Sequence, residues 1–206
     1  MSGAGPQFVS ERYYGKHDTT SGNTGDSWCS MGRIAWFDAH ARKATGGTEA
    51  RAAFDGAVAH LAKDLIANTW MHERYGCDGE QQQNRTDKYF EYPSTVAMML
   101  REVRYGINLG FDDVSISPFG PMNFTYHIGN VFVTYDAAGG SVAASLPGTG
   151  DRTYTVTGMQ AGSVFRLSKS SACAGATKMP ASATADARGT LVFIAPVGCR
   201  VDATSS

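Results

Sequence analysis

The chain lacks several features that would have fixed its class at once. No apolar run approaches the ~20 residues that cross a bilayer, so no membrane partner is expected. There is almost no net charge: the formal value is -1 at a pI near 6.5. Residues 1–110 carry 13 acidic and 12 basic side chains, and residues 111–206 carry 6 and 6, so no basic face offers itself to nucleic acid. Neither a Gly-x-Ser-x-Gly elbow nor a G-x-x-x-x-G-K-[ST] loop occurs, and no strand leads into G-x-G-x-x-G, which argues against a serine-hydrolase elbow and against nucleotide use. No C-x-x-C pair is present and His72, Cys77 and Asp78 have no metal-site spacing, so neither a metal nor any other cofactor is expected. Met1-Ser2-Gly3-Ala4-Gly5-Pro6 has no charged or apolar leader segment. The chain is then either cytosolic or a piece of a longer precursor; the expectation adopted is a secreted full-length form.

What is present is a change of pattern near Gly110. Before it, apolar residues recur at helical spacing. Residues 26–44 read as a helix with Asp26 or Ser27 as N-cap and a stripe of Ile34, Phe37 and Ala41. Residues 49–72 read as a longer helix with Phe54, Val58, Leu61, Leu65 and Trp70 on its buried side. A third runs from Pro93 to Leu109 on Val96, Met99, Leu100 and Val103, and Gly110 ends it. After Gly110 the period is two. Residues 113–117, 130–135, 141–146, 153–156, 164–167 and 190–194 read as strands, and residues 172–188 as an exposed loop. The layout predicts an α+β chain with a helical domain over 1–110 and an antiparallel β-sandwich over 111–206.

The four cysteines divide evenly. Cys173 and Cys199 fall in the β-rich half, where they could bridge neighbouring strands; Cys29 and Cys77 fall near the loops of the helical half. Two bridges would suit an oxidising compartment, and four buried thiols are the alternative.

The connection from Trp70 to Pro93 is long for a helix–helix link. It mixes carboxylates, amides, arginines and aromatic rings, the chemistry that holds a sugar: rings for its C–H faces, bidentate polar groups for its hydroxyls. If three successive helices pack antiparallel, loops 10–26 and 73–92 open onto one face. Glycoside hydrolysis needs two carboxyl groups, roughly 5–5.5 Å apart for retention and roughly 6.5–9.5 Å for inversion. Glu11, Asp18, Asp26, Glu73, Asp78, Glu80, Asp87 and Glu91 are the rim carboxylates. Glu80 and Asp78 are preferred because glycine flanks them, and Glu73 is next, with Arg74 able to pair with it. Tyr13, Tyr14, Trp28 and Tyr75 are the candidate sugar platforms, and Gln82, Asn84, Arg85 and Arg74 the candidate hydroxyl ligands. Plain alternatives stand beside these roles: an N-cap for Asp26, surface pairs for Glu73 and Glu91, core packing for Trp70 and Phe90, a solvated loop for Gln81–Gln83. His17-Asp18 has the form of a base with its orienting carboxylate. In the β-rich half, Tyr126, His127, Tyr135 and Tyr154 fit strand faces better than a ligand.

On the segments Gly25-Asp26-Ser27-Trp28, Trp70–Pro93 and Phe111–Phe132, with Ile116-Ser117-Pro118-Phe119-Gly120-Pro121 entering the strands, the layout resembles the C-terminal end of the six-hairpin (α/α)6-barrel glycosidases of the α-L-rhamnosidase type. The resemblance implies a partial α/α barrel followed by a β-sandwich, carbohydrate as partner, acid/base cleavage of a glycosidic bond without cofactor, and an upstream barrel domain supplying the missing hairpins. A non-catalytic carbohydrate-binding module and a structural or interaction fragment are the competing readings.

Overall fold

A computed structural model of the chain describes residues 30–69, 71, 74–75, 91–173 and 179–206. The chain divides into two compact units, Met1–Val103 and Arg104–Ser206.

In the first unit, β1 (Ser30–Met31) leads directly into α1 (Gly32–Thr45), and α2 (Gly47–Asn68) follows after Gly46. Thr69 closes α2 in the left-handed conformation, φ 62°, and its N–H bonds the Leu65 carbonyl at 2.8 Å. A short β2 (Arg74–Tyr75) pairs antiparallel with β1. Then α3 (Glu91–Met98) continues into a π-helical stretch, Met99–Arg104. Helix α1 packs against both α2 and α3. Among its described side chains the buried ones are the small Ala35 and Ala39, whereas Phe37 is 64% exposed and Ala41 is exposed, so the stripe expected on Phe37 and Ala41 lies on the wrong side; Ile34 of that stripe lies outside the described side chains. Phe54, Ala57 and Leu61 of α2 and Met99 and Val103 near the end of α3 supply the larger buried groups.

The second unit is made of strands. β3 (Ile107–Leu109), β4 (Asp113–Ile116), β8 (Asp151–Val156) and β11 (Leu191–Pro196) form a four-stranded sheet in the order β11-β8-β4-β3. β5 (Asn123–Ile128), β6 (Val131–Asp136), β7 (Ser141–Ser145), β9 (Val164–Lys169), β10 (Ser182–Thr184) and β12 (Arg200–Ser205) form a six-stranded sheet in the order β10-β9-β12-β7-β6-β5. Every pairing is antiparallel except β4 with β8, whose connection runs through β5, β6 and β7 of the other sheet. One cluster unites the inner faces: Ile107, Ile116, Tyr154, Val156, Leu191 and Phe193 from the smaller sheet meet Val133, Tyr135, Val142, Phe165, Leu167 and Val201 from the larger. The alternation of buried and exposed positions along β9 and β11 is the period of a strand with one face on a core. At the entry to this unit Gly106, φ 67°, is obligatory: a Cβ there would stand 1.8 Å from the Ser117 carbonyl oxygen.

The expected fold class does not hold. The described residues contain three helices, while ten strands make two mostly antiparallel sheets, so the protein is a mostly β fold and not an α/α barrel segment followed by a sandwich. The third helix stops at Arg104 rather than Leu109, because Gly106 reverses the chain and residues 107–109 pair with β4. Strands β5, β10 and β12 were not expected; β10 and the buried Ala185 fall inside the segment read as an exposed loop.

Candidate functional site

The sequence-derived candidates lie almost wholly outside the described residues. Glu73, Asp78, Glu80, Tyr13, Tyr14, Trp28, Gln82, Asn84 and Arg85 are among them. So are Cys29 and Cys77. Arg74 and Tyr75 form β2, with Met31 opposite Arg74 and Ser30 opposite Tyr75. The chain just before α1 and the chain after α2 therefore run side by side at this pairing.

Two polar centres stand out among the described residues. The first joins α1 to the end of α3. Glu102 is a buried carboxylate on the π-helical stretch. Its Oε2 accepts from the Trp36 indole Nε1 at 2.9 Å and lies 3.5 Å from His40 Nε2; Arg101 donates to its Oε1. Lys43 Nζ donates to the Glu102 carbonyl at 3.1 Å, satisfying one of the carbonyls that a helix C-terminus leaves unpaired. Burial alone would raise the Glu102 pKa, but the Trp36, Arg101 and His40 contacts outweigh it and hold the carboxyl below its ordinary 4.5. Burial lowers Lys43 to about 8. This centre has one carboxylate, four nitrogen groups around it, and the geometry of a strut between two helices.

The second centre is a row across the outer face of the six-stranded sheet. His127 is the register partner of Phe132, Phe132 of Ser145, and Ser145 of Arg200. Register partners share a face, so the four side chains line up on β5, β6, β7 and β12. Their chain neighbours Tyr126, Val133, Ala144 and Val201 point the other way, into the core. The His127 ring meets Phe132 edge-on at 5.8 Å, and the Arg200 guanidinium sits over the Phe132 ring at 5.8 Å. Asp202, on the same face, fixes the guanidinium: Arg200 Nε donates to its Oδ1 at 2.9 Å and Nη2 lies 2.8 Å from the same oxygen.

At the loop end of this row is an open cleft of about 520 Å3, lined by His127, Asn130, Phe132, Ser145, Leu146 and Pro147 together with Gly129, Gly148 and Gly198. Gly198 N–H bonds the Leu146 carbonyl at 2.7 Å, and its missing side chain admits the Gly148 carbonyl, which a Cβ would meet at 2.5 Å. The Cys173–Cys199 disulfide, Cα–Cα 5.4 Å, ties the chain beyond β9 to the residue that precedes Arg200. The cleft thus has one flat apolar ring, an imidazole, an amide, a hydroxyl and exposed backbone on a rigid frame.

Of the four ring residues weighed in this half, only His127 faces outward. Tyr126 is buried; Tyr135 and Tyr154 are core groups whose hydroxyls donate to the Thr157 and Pro196 carbonyls, and burial pushes Tyr154 up to about 12. Asn130, Phe132, Ser145 and Arg200 escaped notice because each is an ordinary strand or turn residue in sequence. The alternation in 130–135 already put Phe132 on the face opposite Val133 and Tyr135, which was the available signal. No group of three or more His, Cys, Asp or Glu side chains placed to hold a metal ion occurs among the described residues. No helix among them is long and apolar enough to cross a membrane.

The sequence matches no protein-family model, no curated protein and no solved structure.

Proposed function

We propose that this protein binds carbohydrate, with the loop-end cleft of its β unit as the saccharide site. The row of His127, Phe132 and Ser145 beside Asn130 carries the reading. A pyranose presents C–H faces that pack on an aromatic ring and hydroxyls that both donate and accept. Phe132 offers the ring. Asn130, His127 and Ser145 offer side-chain donors and acceptors, and Gly129, Gly148 and Gly198 bring backbone groups to the rim without side chains in the way. The framework of two sheets and a disulfide holds these groups before the ligand arrives, which limits the ordering cost of binding. The disulfide also supports an oxidising, extracellular setting.

The test is retention of the whole chain on a broad glycan panel, followed by titration calorimetry on the best ligand with Phe132→Ala. The reading expects saturable binding, at least ~10-fold weaker in the variant, with an unchanged melting curve for the rest of the fold. Equal binding by the variant, or no retained glycan, overturns it.

A second reading, acid/base cleavage of a glycosidic bond by rim carboxylates, is favoured by the β1–β2 pairing. That pairing sets Ser30–Met31, two residues after Trp28, against Arg74–Tyr75, three residues before Asp78. Hydrolysis of aryl glycosides by the wild type, abolished in Glu80→Gln or Asp78→Asn, is its expected signature. Turnover that survives in both variants removes it.

A further inference from the structure

The polar groups around the cleft are unevenly divided. Among the described residues no aspartate or glutamate lines it. The nearest carboxylate on the row's face, Asp202, spends its Oδ1 on Arg200 Nε and Nη2. Arg200 itself adjoins two lining residues: it is the register partner of Ser145 and follows Gly198 by two positions. Its guanidinium has five N–H donors in a planar fork, and Asp202 occupies two of them, which orients the plane without exhausting it. A site for a neutral sugar is served well by a carboxylate, the strongest acceptor for hydroxyl protons. Here instead an oriented cation, adjoining the cleft rather than lining it, sits over the Phe132 ring, and an imidazole within the lining meets that ring edge-on.

We propose that the cleft selects an acidic saccharide, a uronate-bearing glycan, with Arg200 receiving the sugar carboxylate beside the Phe132 ring. The proposal rests on the carbohydrate reading above and names its substrate class. The sugar ring packs on Phe132, its ring hydroxyls meet Asn130 and Ser145, and its carboxylate meets the guanidinium as a charge-assisted pair. Asp202 is a positioning residue: it holds the fork and does not touch the ligand.

The experiment compares native uronic-acid polymers with their carboxyl-reduced counterparts, which keep backbone and linkage but carry CH2OH in place of COO-. Dextran sulfate serves as an unrelated polyanion. The double variant Arg200→Gln/Asp202→Asn removes the guanidinium while leaving the pair's summed charge at zero, and Arg200 is half exposed, so the fold is expected to survive. The expected result is binding to at least one native polymer, a loss of ~10-fold or more on carboxyl reduction, and the same loss for the double variant on native polymer only. Arg200→Lys is expected to fall between the two, keeping charge without the fork. Equal affinity for native and reduced polymer, or dextran sulfate bound as tightly as any uronate, overturns the acidic selectivity while the carbohydrate reading stands. Failure to bind any native, reduced or neutral glycan overturns both.

Discussion

The two units of this protein are held together by different means. The β unit encloses one cluster drawn from both sheets, with Phe165, Tyr154 and Leu191 wholly buried, and its buried phenols are matched to carbonyls. The helical unit buries Phe54, Leu61, Met99 and Val103, but the buried residues among α1's described side chains are alanines, and α1 joins α3 through the charged strut at Glu102. A core of large side chains stays stable without reference to pH. A contact built on a carboxylate and a half-buried lysine does not.

The three tryptophans, Trp28, Trp36 and Trp70, all belong to the first unit, so their fluorescence reports on it; the strand component of the far-ultraviolet dichroism, resolved from the stronger helical component by its spectral shape, is the dichroism transition that reports on the second. The largest expected effect is Phe165→Ala. It opens a cavity in the shared cluster and costs about 4 kcal/mol, read as an earlier urea midpoint in dichroism with the tryptophan transition unmoved. If both transitions shift together, the two units unfold as one and the contrast fails. Replacing Cys173 and Cys199 with serine releases a loop of separation 26 and costs about 3 kcal/mol in the same dichroism transition, with weaker glycan binding because Arg200 loses its anchored neighbour.

Glu102→Gln keeps the shape of the strut but removes its charge opposite Arg101 and His40. The expected cost is about 2 kcal/mol, confined to the tryptophan transition. A dichroism shift of the same size would mean that this residue supports the sheets as well. The smallest effects follow pH. Because Glu102 titrates below 4.5 when folded, its contribution is present above that pH and is lost as the pH falls through the folded value. Lys43 shifts in the same direction for a different reason: burial lowers it to about 8 from 10.5, so between those values the unfolded chain holds the extra proton and stability again rises with pH. Tryptophan-detected midpoints should therefore drop below pH 4.5 and climb between pH 8 and 10.5. The climb should be absent in Lys43→Met.

Reading the sequence went furthest where burial is one-sided. Six of the strands of the β unit were legible from the sequence, most clearly where core and solvent positions alternate, as Val133 and Tyr135 do against Phe132 and Thr134; β7 departs from this, with Val142, Ala143 and Ala144 all buried. β12 was missed because its buried residues are the small Val201 and Ala203, and β10 because its three residues are Ser182, Ala183 and Thr184. The stripe on α1 was misread for a related reason: Phe37 is the larger hydrophobe, but the described side chains that α1 buries are the small Ala35 and Ala39. The overall class failed because helical segments at the start suggested a longer helical array, whereas the described helices are three and the sheets dominate.

The candidate site divides the same way. His127, Asn130, Phe132, Ser145 and Arg200 are scattered over 74 positions, and nothing in their spacing joins them. Local sequence determined that the strand carrying Phe132 would form and which of its faces would turn outward, because side-chain alternation and apolar burial act between near neighbours; β5 and β12, which carry His127 and Arg200, were not legible in this way. Only the tertiary structure decided that β12 inserts between β9 and β7, and so set Arg200 beside Ser145 and over Phe132. Strand order and register are set by pairing between distant segments and by the fit of one shared core, and no single stretch of the chain contains that information.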